Sequence, residues 1–361
     1  MPTHHDIGVG RVMTLKNTLV LLAFLLVSIG CKKGADQQLT DDQPAVFGSS
    51  PYLLSATEVA TLLKRSPPPL LIEASKAENF AEGHLPGAIN LWRPDYADHD
   101  NYPYGGMRAT RKKMEQLMGD LGAENDKLII IYCTKGSVDA ARLQWILRSY
   151  GHDWVAIMDG GKAAWQHSGY PLVKSIDTNR VPTDYHFPGP RQDTFCASLE
   201  EVLAATTDTN TIIIDAREDY EYLGIPHLSN NQVVHYKPGA FAPGAIPGAR
   251  HLNWSESVDL HSDHTFKSLA DLNHNFLREG ITSNKKIIVY CHSGVRSAHT
   301  TFVLSQLLEY PNVKNYDGSW IEWSYVYASD TSGKLQHLTS SVETELIYRD
   351  MVAALQNENI E

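Results

Sequence analysis

The sequence contains itself twice. KLIIIYCTKGSVDAARLQWILRSYG, around Cys133, returns as KKIIVYCHSGVRSAHTTFVLSQLLEYP around Cys291, 158 residues later. Gly136 and Gly294, Asp159 and Asp317, and Trp165 and Trp323 keep that separation. Upstream, GHLPGAINLW at Gly83 is matched by GAIPGARHLNW at Gly244. Order and spacing preserved over this distance identify a duplication. One fold has to suit both copies, so the differences between them show which copy retains chemistry.

Each copy reads as helix, strand, GxxPGA turn, helix, strand, cysteine loop, helix, strand and DG turn. Short apolar strands alternating with helices predict an α/β domain with a mainly parallel sheet. The strand candidates are LLIEA ending at Ala74, IIIDA from Ile212 to Ala216, IIVYC from Ile287 to Cys291 and VKNYD from Val313 to Asp317. Folding is expected to start near Leu53, where LSATEVATLLKR offers a serine or threonine cap. The copies are assigned to residues 51–175 and 196–345, with a proline-rich linker over 176–195 wrapping between them and a tail over 346–361. The second copy carries about 19 extra residues before Gly244, including HLSNNQVVHYKPGAF, expected to form a surface hairpin or part of a pocket rim.

The N-terminus has a different character. LVLLAFLLVSIG, Leu19 to Gly30, follows Arg11 and Lys16 and precedes Cys31. This run is short for a membrane span, which needs about 20 residues, and it reads as an export signal over residues 1–31. SIG-C is similar to a bacterial lipoprotein signal, with Cys31 lipidated and residues 32–50 as a tether. The expected location is therefore the periplasm or cell envelope, held to the membrane by lipid on Cys31. An uncleaved anchor or a buried apolar strand is the plainer alternative. With Cys31 lipidated, Cys133, Cys196 and Cys291 remain, too few for a disulfide scaffold. A net charge of -11 without a long basic block gives nucleic-acid binding no support.

Cys291 sits at a strand end, where ligands of such sheets bind. Backbone N–H groups of the following loop and first helical turn lack helical partners. If the loop curls around the sulfur, they favour a thiolate and can hold an anion. His292, Ser293, Gly294, Val295 and Ser297 would form this cradle. Gly294 permits the tight curl, and Arg296 adds fixed positive charge. IIIDAR places Arg217 at a similar depth, which suggests a thiolate between two arginines. A merely buried cysteine explains neither Gly294 nor Arg296. Arg217 could instead pair with Asp215 or Glu218 on the surface, and His292 could be an exposed loop residue. Asp215 is expected to order the loops by hydrogen bonding, with Asp317 also supporting the site. Cys196 reads as structural, opening the helix CASLEEVLAA. The histidines show no convincing metal-ligand spacing.

CHSGVRS (Cys291 to Ser297), DAR (Asp215 to Arg217), GAIPGA (Gly244 to Ala249) and YDGSWIEW (Tyr316 to Trp323), with GHLPGAINLW and MDGGKAAW in the first copy, resemble the tandem-domain rhodanese family of thiosulfate and 3-mercaptopyruvate sulfurtransferases. The resemblance spans about residues 53–330. It implies two rhodanese-like α/β domains, each a mainly parallel sheet flanked by helices. It also implies sulfur transfer through a persulfide on Cys291, from a small anionic donor to a thiol or cyanide, without a metal or organic cofactor. Arg217 and Arg296 would hold the donor's charged end. A monomer is expected.

The first copy departs from that pattern. Val138 replaces Arg296, Asp139 replaces Ser297, and Ser75 in EAS replaces Arg217. Asp139 disfavours a thiolate, with Lys135 offsetting part of the effect, so Cys133 and Gly136 are expected to be a vestigial site. Two rivals stand beside sulfur transfer. A non-enzymatic sulfur-carrier or binding lipoprotein is one. A cysteine phosphatase is the other, disfavoured because Arg296 arrives one residue earlier than in a Cys-x5-Arg loop. CHSGVR matches neither the CG[ST]GVT of mercaptopyruvate enzymes nor the CRKGVT of thiosulfate enzymes; its polar, positive character favours thiosulfate.

Overall fold

The computed structural model describes residues 50–329, apart from 177–179, 230–231 and 235. The expected leader, Cys31 and the C-terminal tail lie outside these residues. No helix among the described residues is long and apolar enough to cross a membrane.

The first repeat runs β1 (Leu53–Leu54), α1 (Ala56–Leu62), β2 (Leu70–Ala74), α2 (Ala77–Glu82), β3 (Ile89–Leu91), α3 (Arg111–Asp120), β4 (Ile129–Tyr132), α4 (Val138–Ser149), β5 (Val155–Met158) and α5 (Gly161–His167). The second runs β6 (Cys196–Ala197), α6 (Leu199–Ala205), β7 (Thr211–Asp215), α7 (Asp219–Leu223), β8 (His227–Ser229), β9 (Gln232–Val234), β10 (Arg250–His251), α8 (Leu269–Arg278), β11 (Lys286–Tyr290), α9 (Val295–Phe302), β12 (Val313–Tyr316) and α10 (Ser319–Ser329). The two main sheets are parallel and correspond strand for strand, β1-β5-β4-β2-β3 and β6-β12-β11-β7-β10. Local sequence fixes the helix starts: Ser55 and Ser198 close capping boxes with Glu58 and Glu201, and Thr110 and Ser268 cap α3 and α8.

Alternation along the strands divides the core. Ile72, Ile129 and Ile131 join Ile212, Ile214, Ile287 and Val289 in one apolar cluster shared by both repeats. Leu71, Ile130 and Ala156 face a second cluster, and Ile213, Ile288 and Tyr290 a third. Helix α4 is buried almost all round and packs against α9. A helix without a solvent face has to lie inside a larger core. The helices that follow the two cysteine loops therefore meet where the two repeats join.

The linker does more than pass between the repeats. The Thr183 N–H donates to Gly119 O at 2.9 Å, Tyr185 hydroxyl meets His152 Nδ1 at 2.8 Å, and Phe187 packs on Tyr150. It thus lines the first repeat. Cys196 does not open a helix: it begins β6, Ser198 caps α6, and Arg108 Nη1 donates to its sulfur at 3.1 Å. The insertion does form a hairpin, β8 antiparallel to β9.

Candidate active site

The cysteine loop leaves the C-terminal end of β11. Gly294 has φ +77°, a left-handed conformation in which a side chain would be strained, and an added Cβ would lie 2.7 Å from Asp317 O. Ser319 Oγ accepts the N–H groups of Cys291 and Gly294 at 3.1 and 3.0 Å and donates to Tyr316 O at 2.7 Å. That hydroxyl closes the loop into a ring around the sulfur.

Cys291 is 1% exposed. Burial pushes its thiol up, but the Arg296 charge opposes this, with the Ser297 hydroxyl and the N–H groups of Ser297 and Ser293. The balance holds the thiol below its ordinary value. The Ser297 hydroxyl lies 3.4 Å from Sγ. Of the expected cradle, Ser293 and Ser297 face the sulfur. Gly294 directs its N–H to Ser319 and contributes conformation, and Val295 starts α9. His292 is not an exposed loop residue: it is buried, its Nε2 meets Pro238 O at 3.0 Å, and burial with nearby Lys237 lowers it to about 4. The ring is neutral at pH 7 and pins the insertion to the loop.

Arg296 does not stand free beside the thiol. Its guanidinium binds Glu221 of α7 at 2.5 and 2.9 Å, with Glu218 at 3.6 Å. Burial would raise Glu221, yet Arg296 holds it at about 2. Arg217 departs from the expected donor-holding geometry. It is buried and held by Asp215 at 2.6 to 3.0 Å and by Gly244 O at 2.7 Å, so its hydrogen bonds point into the fold and not to an open donor site. Nor is it a surface pair. Tyr290 hydroxyl also donates to Asp215 and accepts from Ile246 N–H at 3.1 Å. The first repeat builds the same knot from different residues: Tyr132 binds Glu73 at 2.6 Å and Leu85 N–H at 3.0 Å, while Lys162 supplies the cation at 2.8 Å. DAR is thus a scaffold joining the GxxPGA turn to the cysteine strand.

Three charged residues escaped the motif comparison. Glu221 lies outside every repeated motif. Lys237 follows the hairpin and lines a small recess of about 10 Å³ with Arg217, Glu221, His292 and Trp320. Burial and then Arg296 lower its ammonium, while Glu221 and Cys291 favour it. Arg93, directly after the first repeat's GHLPGAINLW, binds Asp139 at 2.6 Å and lies within the electrostatic reach of Cys291. The sequence signal for Lys237 was the insertion itself; Arg93 carried none.

Around Cys133 the same fold gives the opposite electrostatics. Burial and the Asp139 carboxylate push its thiol up to about 11, against N–H groups of Ala140, Lys135 and Asp139. A Cβ at Gly136 would lie 3.0 to 3.2 Å from Leu260, Trp254 and Val258, so second-repeat side chains cover that loop. Among the described residues no cluster of metal-ligating side chains exists.

The family profile of the Rhodanese-like domain matches residues 55–168 and 198–325. The chain belongs to the rhodanese family. Among curated relatives, the "Sulfur carrier protein TtuD" of Thermus thermophilus is 35% identical over 249 residues, covering 68% of this chain and 83% of that one. A Mycobacterium leprae protein named "Putative thiosulfate sulfurtransferase" is 35% identical over 258 residues, 70% of this chain and 88% of its own. Among solved structures, SseA of Escherichia coli, described as a 3-mercaptopyruvate sulfotransferase, aligns with a TM-score of 0.63 at 26% identity, covering 74% of this chain and 98% of that one. Both repeats of this rhodanese therefore have counterparts along nearly the whole of that structure.

Proposed function

We propose that the protein is a sulfurtransferase that carries sulfane sulfur on Cys291, taking it from thiosulfate and passing it to cyanide or a thiol. The observation that carries this reading is the contrast between two cysteines in one fold. Cys291 is held below the ordinary thiol value and Cys133 is pushed to about 11. The relatives named for thiosulfate and 3-mercaptopyruvate chemistry support the reaction class.

In the first step the Cys291 thiolate attacks the outer sulfur of thiosulfate. The bond to the central sulfur breaks, and sulfite leaves with its electron pair. A persulfide remains, its terminal sulfur facing the Ser293 and Ser297 donors. In the second step cyanide or a thiolate attacks that sulfur, forming thiocyanate or a new persulfide, and returns Cys291 as thiolate. Thiosulfate is favoured over mercaptopyruvate by the cations around the loop that Glu221 does not take up, Lys237 and Arg93. A phosphatase reading is disfavoured because Arg296 comes one residue earlier than in a Cys-x5-Arg loop and its guanidinium is bound to Glu221. The N-terminal sequence, with Cys31, supports placement in the cell envelope on a lipid anchor.

The test is steady-state sulfur transfer to cyanide from thiosulfate and from 3-mercaptopyruvate. Incubation with donor alone should add the mass of one sulfur atom to the Cys291 peptide. Cys291→Ser should abolish transfer, while Cys133→Ser retains most of it. Undiminished transfer in the Cys291→Ser protein would overturn the assignment. Loading of Cys291 without turnover to small acceptors would favour a carrier role, the activity in the name of the Thermus relative.

A further inference from the structure

The carbonyl of Gly294 is gripped from the other repeat. Arg142, on α4, is buried and donates from Nη1 to Gly294 O at 3.2 Å. Its Nη2 binds Asp317 Oδ1 at 2.6 Å and Gly106 O at 3.0 Å. Asn315 Nδ2 and the Ala298 N–H of α9 are the other donors to Gly294 O, each at 3.3 Å. Gly106 packs against the same loop, since a Cβ there would lie 2.8 Å from the Ser293 Cβ. The arrangement is one-sided: the repeat-equivalent position on α9 is Thr300, whose hydroxyl donates within its own helix to Arg296 O at 3.4 Å.

We infer that Arg142 is a positioning residue, supplied by the first repeat, that fixes the orientation of the donors around Cys291 by holding the Gly294 carbonyl. Glycine at φ +77° has several accessible backbone conformations, so the peptide joining Gly294 to Val295 can flip at low cost unless its oxygen is held. The preceding peptide is held by Ser319 through the Gly294 N–H. Arg142 is the charged donor among the three that hold the next one, beside Asn315 and the Ala298 N–H, and α9 starts from it, carrying the Ser297 hydroxyl and N–H towards the sulfur. A planar guanidinium holds carbonyl and carboxylate through separate nitrogens of a fixed fork, a geometry that a lysine's single ammonium does not reproduce. Asp317, expected only to support the site, gains a specific role: it aims the guanidinium. This inference rests on Cys291 being the sulfur carrier.

The experiment uses the full chain with Arg142→Met and Arg142→Lys. Alkylation of the Cys291 peptide is followed by mass spectrometry as a function of pH, beside kcat and KM for thiosulfate. In Arg142→Met the alkylation midpoint should rise by about one pH unit, slowing the reaction about tenfold below the midpoint. The kcat should fall in parallel while KM stays within about twofold, because Arg142 meets no donor. Arg142→Lys should give an intermediate midpoint. A folded Arg142→Met protein with the original midpoint and kcat overturns the inference. If that variant does not fold, an unshifted midpoint in Arg142→Lys overturns it instead. Wild-type protein that transfers no sulfur would sink the functional reading alone, since the alkylation midpoints still report on the loop.

Discussion

Arg296 and Glu221 form a two-point ion pair across the mouth of the cysteine loop, at 2.5 and 2.9 Å, with side chains 12% and 3% exposed. The guanidinium spends its hydrogen bonds on α7 while its charge acts on Cys291. Arg296→Gln leaves a buried carboxylate without its cation, which should cost about 3 kcal/mol of unfolding free energy in urea titrations. The double variant with Glu221→Gln should lose less, because no uncompensated charge remains. The thiol offers a second readout. Its lowered value means that alkylation and turnover rise with pH at a midpoint below that of an ordinary thiol; without Arg296, burial is opposed less and the midpoint moves up. An unchanged pH profile in Arg296→Gln would remove Arg296 from the thiolate's support.

The same pair has an acid signature. Glu221 is held at about 2, below its ordinary 4.5. A depressed carboxylate contributes stability that is complete above the unfolded value and lost as pH falls through the folded one. Asp159 has the opposite sign. It accepts the Phe266 N–H at 2.9 Å across the repeat junction, and burial raises it to about 7. Its stabilising contribution is present below about 4 and lost as pH rises through about 7. Asp159→Asn keeps an acceptor without the charge, so it should raise the melting temperature by a few degrees at pH 8 and leave it unchanged at pH 4. Equal effects at both values would show that its carboxylate is not the titrating group.

With Arg296 bound to Glu221, the cations left for an anionic donor are Lys237 and Arg93. Lys237 is the more enclosed; Arg93 is 44% exposed and tethered by Asp139. Lys237→Gln should raise KM for thiosulfate about tenfold, the worth of one charge-assisted contact, with kcat changed far less. Arg93→Gln should have a smaller effect, and one that shrinks with added salt. Mercaptopyruvate carries one charge fewer, so its KM should respond less to either change. Equal responses from both donors would mean that these cations do not recognise donor charge.

The duplication, the parallel sheets and the two cysteine loops were legible because strand alternation and glycine spacing are local properties. Cys291, Gly294 and Ser297 were readable for the same reason. What escaped depends on neighbours distant in sequence. Arg217 and Arg296 look equivalent in a motif, yet Asp215 encloses one and Glu221 pairs with the other, whose charge still reaches the thiol. Glu221 is one glutamate on an unremarkable short helix until β11 brings Arg296 beside it. Arg142 is another case, since nothing in RLQWIL says that its guanidinium crosses to the other repeat.

The vestigial loop separates two causes of inactivity. Asp139 raises the Cys133 thiol, but burial raises it more, and second-repeat side chains close over Gly136. Val138→Arg with Asp139→Ser restores the residue types of the second loop without opening the first. Cys133 alkylation should then begin at lower pH than in the wild type, while thiosulfate still loads sulfur only on Cys291, as read by mass spectrometry of each peptide. Adding Trp254→Ala removes the largest cover, and loading at Cys133 should then appear. Loading in the double variant alone would show that charge, and not closure, silenced the first site. Both cysteines are 1% exposed, so the physical reason to expect closure to dominate is the cover of Leu260, Trp254 and Val258 over Gly136, which a donor has to displace whatever the thiol's pKa.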